Sequence, residues 1–130
     1  MNLERYINIV EHLDPLYVQA SRLIADMDRF YTQKYHDLWD AKKAVNAWHM
    51  NQRQINKEIR AIHALLEIFE KRQKKINTSL RSVTSVFNDP QDIREYQDKT
   101  DAFCTLFMLI HGDMDDIIEK YGRLLKKAER

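Results

Sequence analysis

Glycine and proline are nearly missing from this chain, with two of each in 130 residues. A β-rich fold needs turn residues every few positions, so the scarcity argues against sandwiches and barrels. Cysteine occurs once, at Cys104, so no internal disulfide can form and a reduced thiol within a core is expected. No apolar run approaches 18 residues, which speaks against a membrane-spanning helix. The N-terminal stretch MNLERYINIVEHL carries acids inside its apolar pattern, unlike a signal peptide, so an intracellular and cytoplasmic setting is expected. Charge of one sign is lacking too. The formal net charge is +1, and it is unevenly spread: residues 1–50 carry −1, 51–88 carry +5 and 89–130 carry −3. A basic segment followed by an acidic one reads as two neighbours that attract each other.

What is present in quantity is helical periodicity. Leu38, Ala41, Val45, Trp48, Gln52, Ile55, Ile59, Ile62, Leu66, Phe69, Gln73, Ile76, Leu80, Val83 and Phe87 follow one another at alternating steps of three and four. All but Gln52 and Gln73 are apolar, and such a seam keeps one side of a helix against a partner helix. Read literally, the pattern from Leu16 to Phe87 is one helix of about 72 residues, roughly 108 Å long. A chain reversal within His49–Arg53 would instead give two helices of ordinary bundle length. The seam's continuity favours the first reading. Base rates of helix length favour the second, which is the one adopted.

The remaining elements follow from the same rules. Leu3, Tyr6, Ile7, Val10 and Leu13 predict a short amphipathic helix that Asp14-Pro15 ends, with Asp14 capping the next helix. Leu16, Ala20, Leu23, Met27 and Phe30 open that helix, and its seam slips through Lys34 as a stutter. Asn88-Asp89-Pro90 is the clearest boundary, with Asp89 as cap and Pro90 as first residue. The last helix carries a seam from Ile93 through Tyr96, Phe103, Met114 and Tyr121 to Ala128. The expected fold is therefore all-α. It is one domain over residues 1–130, an elongated antiparallel bundle with coiled-coil-like heptad packing. Its helices cover approximately 2–13, 15–49, 53–87 and 90–128.

Chemistry is harder to find. His49 and His63 lie two heptads apart, about 21 Å along a helix, too far to share a metal. No HxxxH, ExxH or HExxH pair occurs among His12, His36, His49, His63 and His111. Asp113, Asp115, Asp116 and Glu119 surround a helix and read as solvated rather than as a general acid–base pair. No Gly-rich phosphate loop, nucleophile elbow or Cys–His pair is present. The chain is expected not to be an enzyme, with no catalytic residue, cofactor or metal.

The candidate partner-binding residues are Tyr31, Tyr35 and Trp39, an aromatic stripe beside the seam, because Tyr and Trp anchor interfaces. Folding the short first helix over the stripe would cover it. Gln52 and Gln73 are candidates for setting register within the seam. Lys71, Arg72, Lys74, Lys75 and Arg81 form a basic run with no acid from Lys71 to Asn88, open to pairing with the acidic last helix or to contact with nucleic acid or anionic lipid. The expected function is non-enzymatic protein–protein interaction or assembly, as an adaptor or scaffold. Its expected partners are proteins, a second copy or other subunits of a complex, with nucleic acid and membrane disfavoured.

Residues 3–28, through Leu3-Glu4, Tyr6-Ile7, Val10-Glu11, Leu13 and Leu23-Ile24-x-Asp26-Met27-Asp28, resemble the start of the helical N-terminal domain of inhibitor-of-growth chromatin proteins. The resemblance implies a short helix, a break, a long helix and dimerisation within a chromatin complex. It covers about a fifth of the chain and stops at Asp28, and the zinc-binding finger of those proteins has no counterpart here. A helical secretion chaperone or an immunity protein is an equal alternative.

Overall fold

The structure is a computed structural model that describes the backbone of residues 3–83 and 87–128, and the side chains of residue 13 and of residues 15 onward within those ranges. It consists of three α-helices among the described residues, α1 (Leu3–Asn46), α2 (Gln52–Ser82) and α3 (Pro90–Ala128), each packed against both others. α1 is 44 residues long, about 66 Å at 1.5 Å per residue. Cross-helix pairs fix the directions. Lys34–Glu58 and Asp26–Arg72 set α2 antiparallel to α1, and Glu70–His111 and Arg81–Asp101 set α3 antiparallel to α2, so α3 runs parallel to α1, with Tyr17 beside Tyr96.

The core is the sum of three stripes. Leu23, Met27 and Leu38 come from α1, Ile55, Ile62 and Leu80 from α2, Met114, Ile117 and Tyr121 from α3, and all nine side chains are fully buried. Each fully buried apolar side chain contributes about 1.5–3 kcal/mol over an exposed one, so these stripes outweigh local propensity along most of the chain. Lys34 occupies the stutter. Its stem lies within the packing, its Nζ reaches Glu58 at 3.0 Å and Asp37 at 3.4 Å, and it sits 5.8 Å from the Phe30 ring. Burial alone would lower the Lys34 pKa, but the hydrogen bonds and charges of Glu58 and Asp37 outweigh it and raise it.

Two expectations are corrected. No break falls at Asp14-Pro15: one helix runs from Leu3 to Asn46 with Pro15 inside it, so a separate helix over 2–13 does not form. Pro15 removes the amide that would bond to residue 11, a cost of about 3 kcal/mol in a helix interior. The apolar stripe nevertheless passes Pro15 in phase, and Leu13, Leu16 and Tyr17 all pack against the core. The side chains of residues 3–12, including His12, lie outside the described ones.

The second correction concerns Trp48, placed in the seam by its spacing. It lies in the α1–α2 turn, 75% exposed, with a left-handed φ of 62°. Its amide donates to the Val45 carbonyl at 3.0 Å and the His49 amide to the Ala44 carbonyl at 2.7 Å, the paired bonds of a Schellman ending. The chain therefore reverses over residues 47–51, and the seam continues across the turn only because each helix buries its own stripe. Asn51 then caps α2 through a reciprocal pair with Gln54, both bonds 3.1 Å. α2 ends at Ser82, the expected helical residues 84–86 lie outside the described ones, and Phe87 is not helical. Asp89 accepts from the Gln91 amide at 3.0 Å, so the α3 start at Pro90 has the expected cap.

Candidate docking surfaces

α1 positions the aromatic stripe. Tyr31, Tyr35 and Trp39 follow one another at four-residue steps; the Tyr31 and Tyr35 rings are tilted at 36° with centroids 6.2 Å apart, and Tyr35 meets Trp39 edge-on at 6.4 Å. The row drifts outward as it climbs. Tyr31 is half-buried beside α3, where burial first, then Asp113, Tyr35 and Asp116, raise its pKa. Tyr35 is 38% exposed and Trp39 50%, with Lys42 Nζ 5.2 Å from the Trp39 ring. Because α1 is unbroken, residues 3–13 run on along its axis instead of folding back over this stripe.

The two seam glutamines occupy different settings. Gln52 is the first residue of α2, at the bundle end beside the turn. Gln73 lies between α2 and α3, where its amide reaches Cys104 Sγ at 4.0 Å, and that thiol donates to Asn77 Oδ1 at 3.3 Å. Cys104 is a free thiol, half-buried, packed against the core and facing the polar side chains of Gln73 and Asn77.

The basic run of α2 divides. Arg72 pairs with Asp26 of α1 at 3.6 Å, and Arg81 with Asp101 of α3 at 3.8 Å. Lys71, Lys74 and Lys75 are exposed, with no ion pair among the described residues. One of the five thus meets the acidic last helix. Arg53, Lys57 and Arg60 extend the exposed basic face toward the N-terminus of α2.

Two features escaped sequence reasoning. The first is a cluster across α2 and α3: Glu70 Oε1 lies 2.7 Å from His111 Nε2, and Asp115 Oδ2 lies 3.2 Å from His111 Nδ1. Fixed-spacing searches along one helix miss it because Glu70 belongs to another element. No set of three His, Cys, Asp or Glu side chains among the described residues is arranged to hold a metal ion.

The second is an apolar patch on the outer side of α3. Leu106 is 49% exposed, Leu109 62% and Met108 71%, while Phe103 and Phe107 between and beside them are buried. Residues 102–112 hold no Asp, Glu, Lys or Arg at all. The signal was legible: these three residues fall off the α3 seam, so the helix is apolar all round here, a pattern that fits burial on every side.

No described helix is long and apolar enough to cross a membrane. The break that the inhibitor-of-growth resemblance implies is not present, since α1 is continuous through residues 14–15. No family model, no curated protein and no solved structure matches the chain.

Proposed function

We propose that this protein is a non-enzymatic helical bundle that works by docking another protein, as an adaptor or assembly subunit. The observation that carries the reading is the exposed trio Leu106, Met108 and Leu109 on a helix whose inner face already fills the core. Fully burying such side chains yields about 1.5–3 kcal/mol each, a gain the lone chain forgoes. Large apolar side chains left exposed together on one stretch of helix are what an interaction site on a protein surface offers. Heptad packing between copies, or a Tyr35–Trp39 contact, belongs to the same proposal.

The test is a comparative purification from source cells with the wild-type chain and a Met108→Lys, Leu109→Lys variant of equal thermal stability. Specific proteins recovered with the wild type and lost with the variant are expected. Identical protein sets would remove the patch from the reading.

A second reading has its own support in the exposed cations Arg53, Lys57, Arg60, Lys71, Lys74 and Lys75 on the outer face of α2. They would hold phosphates of nucleic acid or of a lipid surface, with affinity falling steeply as salt rises. Reversal of Lys71, Lys74 and Lys75 to Glu would abolish that binding. Binding indifferent to salt and to the reversal would rule it out.

A further inference from the structure

The apolar patch of α3 has a charge frame, and the frame says what fits it. Asp98, Ala102, Thr105, Leu109, Gly112 and Asp116 succeed one another at steps of four and three, so they form one stripe along the helix, and all six are exposed. Its centre is apolar or small, with Leu106 and Met108 on either side. Asp98 closes one end, with Asp101 beside it paired to Arg81 at 3.8 Å, and Asp113 and Asp116 close the other. Arg94 and Lys120 lie one turn beyond the two ends. Between Glu95 and Glu119 the single Lys or Arg of α3 is Lys99, whose Nζ lies 5.2 Å from the Tyr17 ring on α1, away from the stripe. Ala102 and Gly112 leave no bulk at either end of the leucine. A Cβ built on Gly112 would meet nothing within 4 Å, so the glycine is not demanded by packing inside the bundle.

We infer that the outer stripe of α3 from Asp98 to Asp116 docks an amphipathic helix of a partner protein, apolar over its two central turns and carrying Lys or Arg at both ends. The inference rests on the docking function proposed above and adds the chemistry of the partner. The apolar centre supplies affinity and the acidic ends supply orientation, since opposite charges at a rim set register and on-rate more than binding energy. The stripe from Asp98 to Asp116 spans about 27 Å, the length of five turns of a partner helix.

A second copy of this chain is the weaker occupant, although the outer face of α2 is itself basic at both ends. In a two-fold pair laying α2 of one copy along α3 of the other, with the axis parallel to the helices, the contacts keep the register seen within the chain, where Glu70 meets His111. That register sets Lys71, Lys74 and Lys75 against Leu106 to Ile110, and Arg53 and Lys57 against Leu124 to Ala128, where Lys126 and Lys127 lie. Apolar surface would meet charge, and cations would meet cations.

The experiment uses the full chain and three dye-labelled synthetic helices of about 22 residues. One has a leucine-rich centre and lysines at both ends. The second replaces every lysine with glutamate, and the third keeps the lysines but replaces the leucines with glutamine. Fluorescence anisotropy from about 0.05 to about 0.5 M salt is the readout. The first probe is expected to bind at least about ten-fold more tightly than either control, and to weaken as salt rises. Leu109→Lys, and separately Asp98→Lys with Asp116→Lys, should each cost about ten-fold or more, while Lys71→Glu with Lys74→Glu should not weaken it. Equal binding of the three probes, binding untouched by the α3 variants, or no binding overturns the inference. Light scattering separates this failure from that of the docking reading. A wild-type dimer that Leu109→Lys disperses overturns the basic-helix partner but keeps the patch as a docking surface. A monomer that binds no probe, with unchanged protein sets in the comparative purification, defeats both.

Discussion

Glu70 of α2 and His111 of α3 meet at 2.7 Å, and the second ring nitrogen of His111 faces Asp115 at 3.2 Å. The imidazolium, with an N–H on each nitrogen, can donate to both carboxylates at once. The ring is mostly covered while the carboxylates are wet, so the coupling is modest. A double-mutant cycle of Glu70→Ala and His111→Ala, followed by urea unfolding, should give an interaction energy of about 0.5–1 kcal/mol. Strict additivity would show the pair to be incidental to packing.

Trp48 holds φ at 62° while its ring stays largely in solvent. A left-handed conformation costs a residue with a Cβ about 1–2 kcal/mol, and little side-chain packing repays it here. Trp48→Gly is therefore expected to raise stability by about 0.5–1 kcal/mol, the remainder being offset by the freedom glycine adds to the unfolded chain. Trp48→Ala retains the strain and should not gain. Equal effects of Gly and Ala in urea titrations would contradict the Schellman ending.

The Tyr121 hydroxyl is buried with no hydrogen-bond partner among the described residues, and the buried Tyr96 hydroxyl has only the Thr100 side chain close to it, which offsets little of the effect of burial. Burial, then the neighbouring Tyr17, pushes the Tyr96 pKa up to about 12. Burial, then the negative charges of Glu58, Asp37 and Asp40, raises that of Tyr121 further. The native fold thus holds these protons more tightly than the unfolded chain, whose tyrosines ionise near about pH 10. Stability is full below that pH and falls as pH climbs toward about 12 and beyond, by up to about 1.4 kcal/mol per pH unit for each tyrosine. Denaturant unfolding across that range should show the decline, and Tyr96→Phe should lessen it. At neutral pH, Tyr121→Phe should be neutral or stabilise by up to about 1 kcal/mol, since it deletes an orphaned polar group. A loss above that size would mean that the hydroxyl has a partner.

Pro15 lies inside α1. Pro15→Ala restores an amide and removes a ring clash, so the thermal midpoint should rise, with a gain of about 1–3 kcal/mol. An unchanged or lowered midpoint would indicate a helix start at Pro15, where proline is at home.

The helices were legible because burial follows period. Ile55, Ile62, Leu66, Phe69 and Leu80 on α2, and Tyr96, Phe103, Met114 and Tyr121 on α3, fall on the stripes read from spacing and are buried. Chain direction is a different matter. Val45 and Gln52 are seven residues apart, which looks like one heptad of helix, yet the Schellman turn lies between them. Asp14-Pro15 and Asp89-Pro90 show the same limit from the other side. The dipeptide is identical, but only the second follows a Ser- and Thr-rich stretch, whereas an in-phase apolar stripe crosses the first. At the candidate site, spacing identified Tyr31, Tyr35 and Trp39 as one row but not their graded exposure, which depends on where α3 lies. Leu106, Met108 and Leu109 lie off the α3 seam, but spacing alone does not say whether another element covers them.

The most direct test of the central claim, that the outer stripe of α3 is a docking surface for a basic amphipathic helix, is a backbone amide chemical-shift titration of the labelled chain with the leucine–lysine helix. Perturbations concentrated on residues 98–116 of α3, and absent with the glutamate version, are the predicted result. Perturbations centred on α2, on the Tyr35–Trp39 row or nowhere would contradict it.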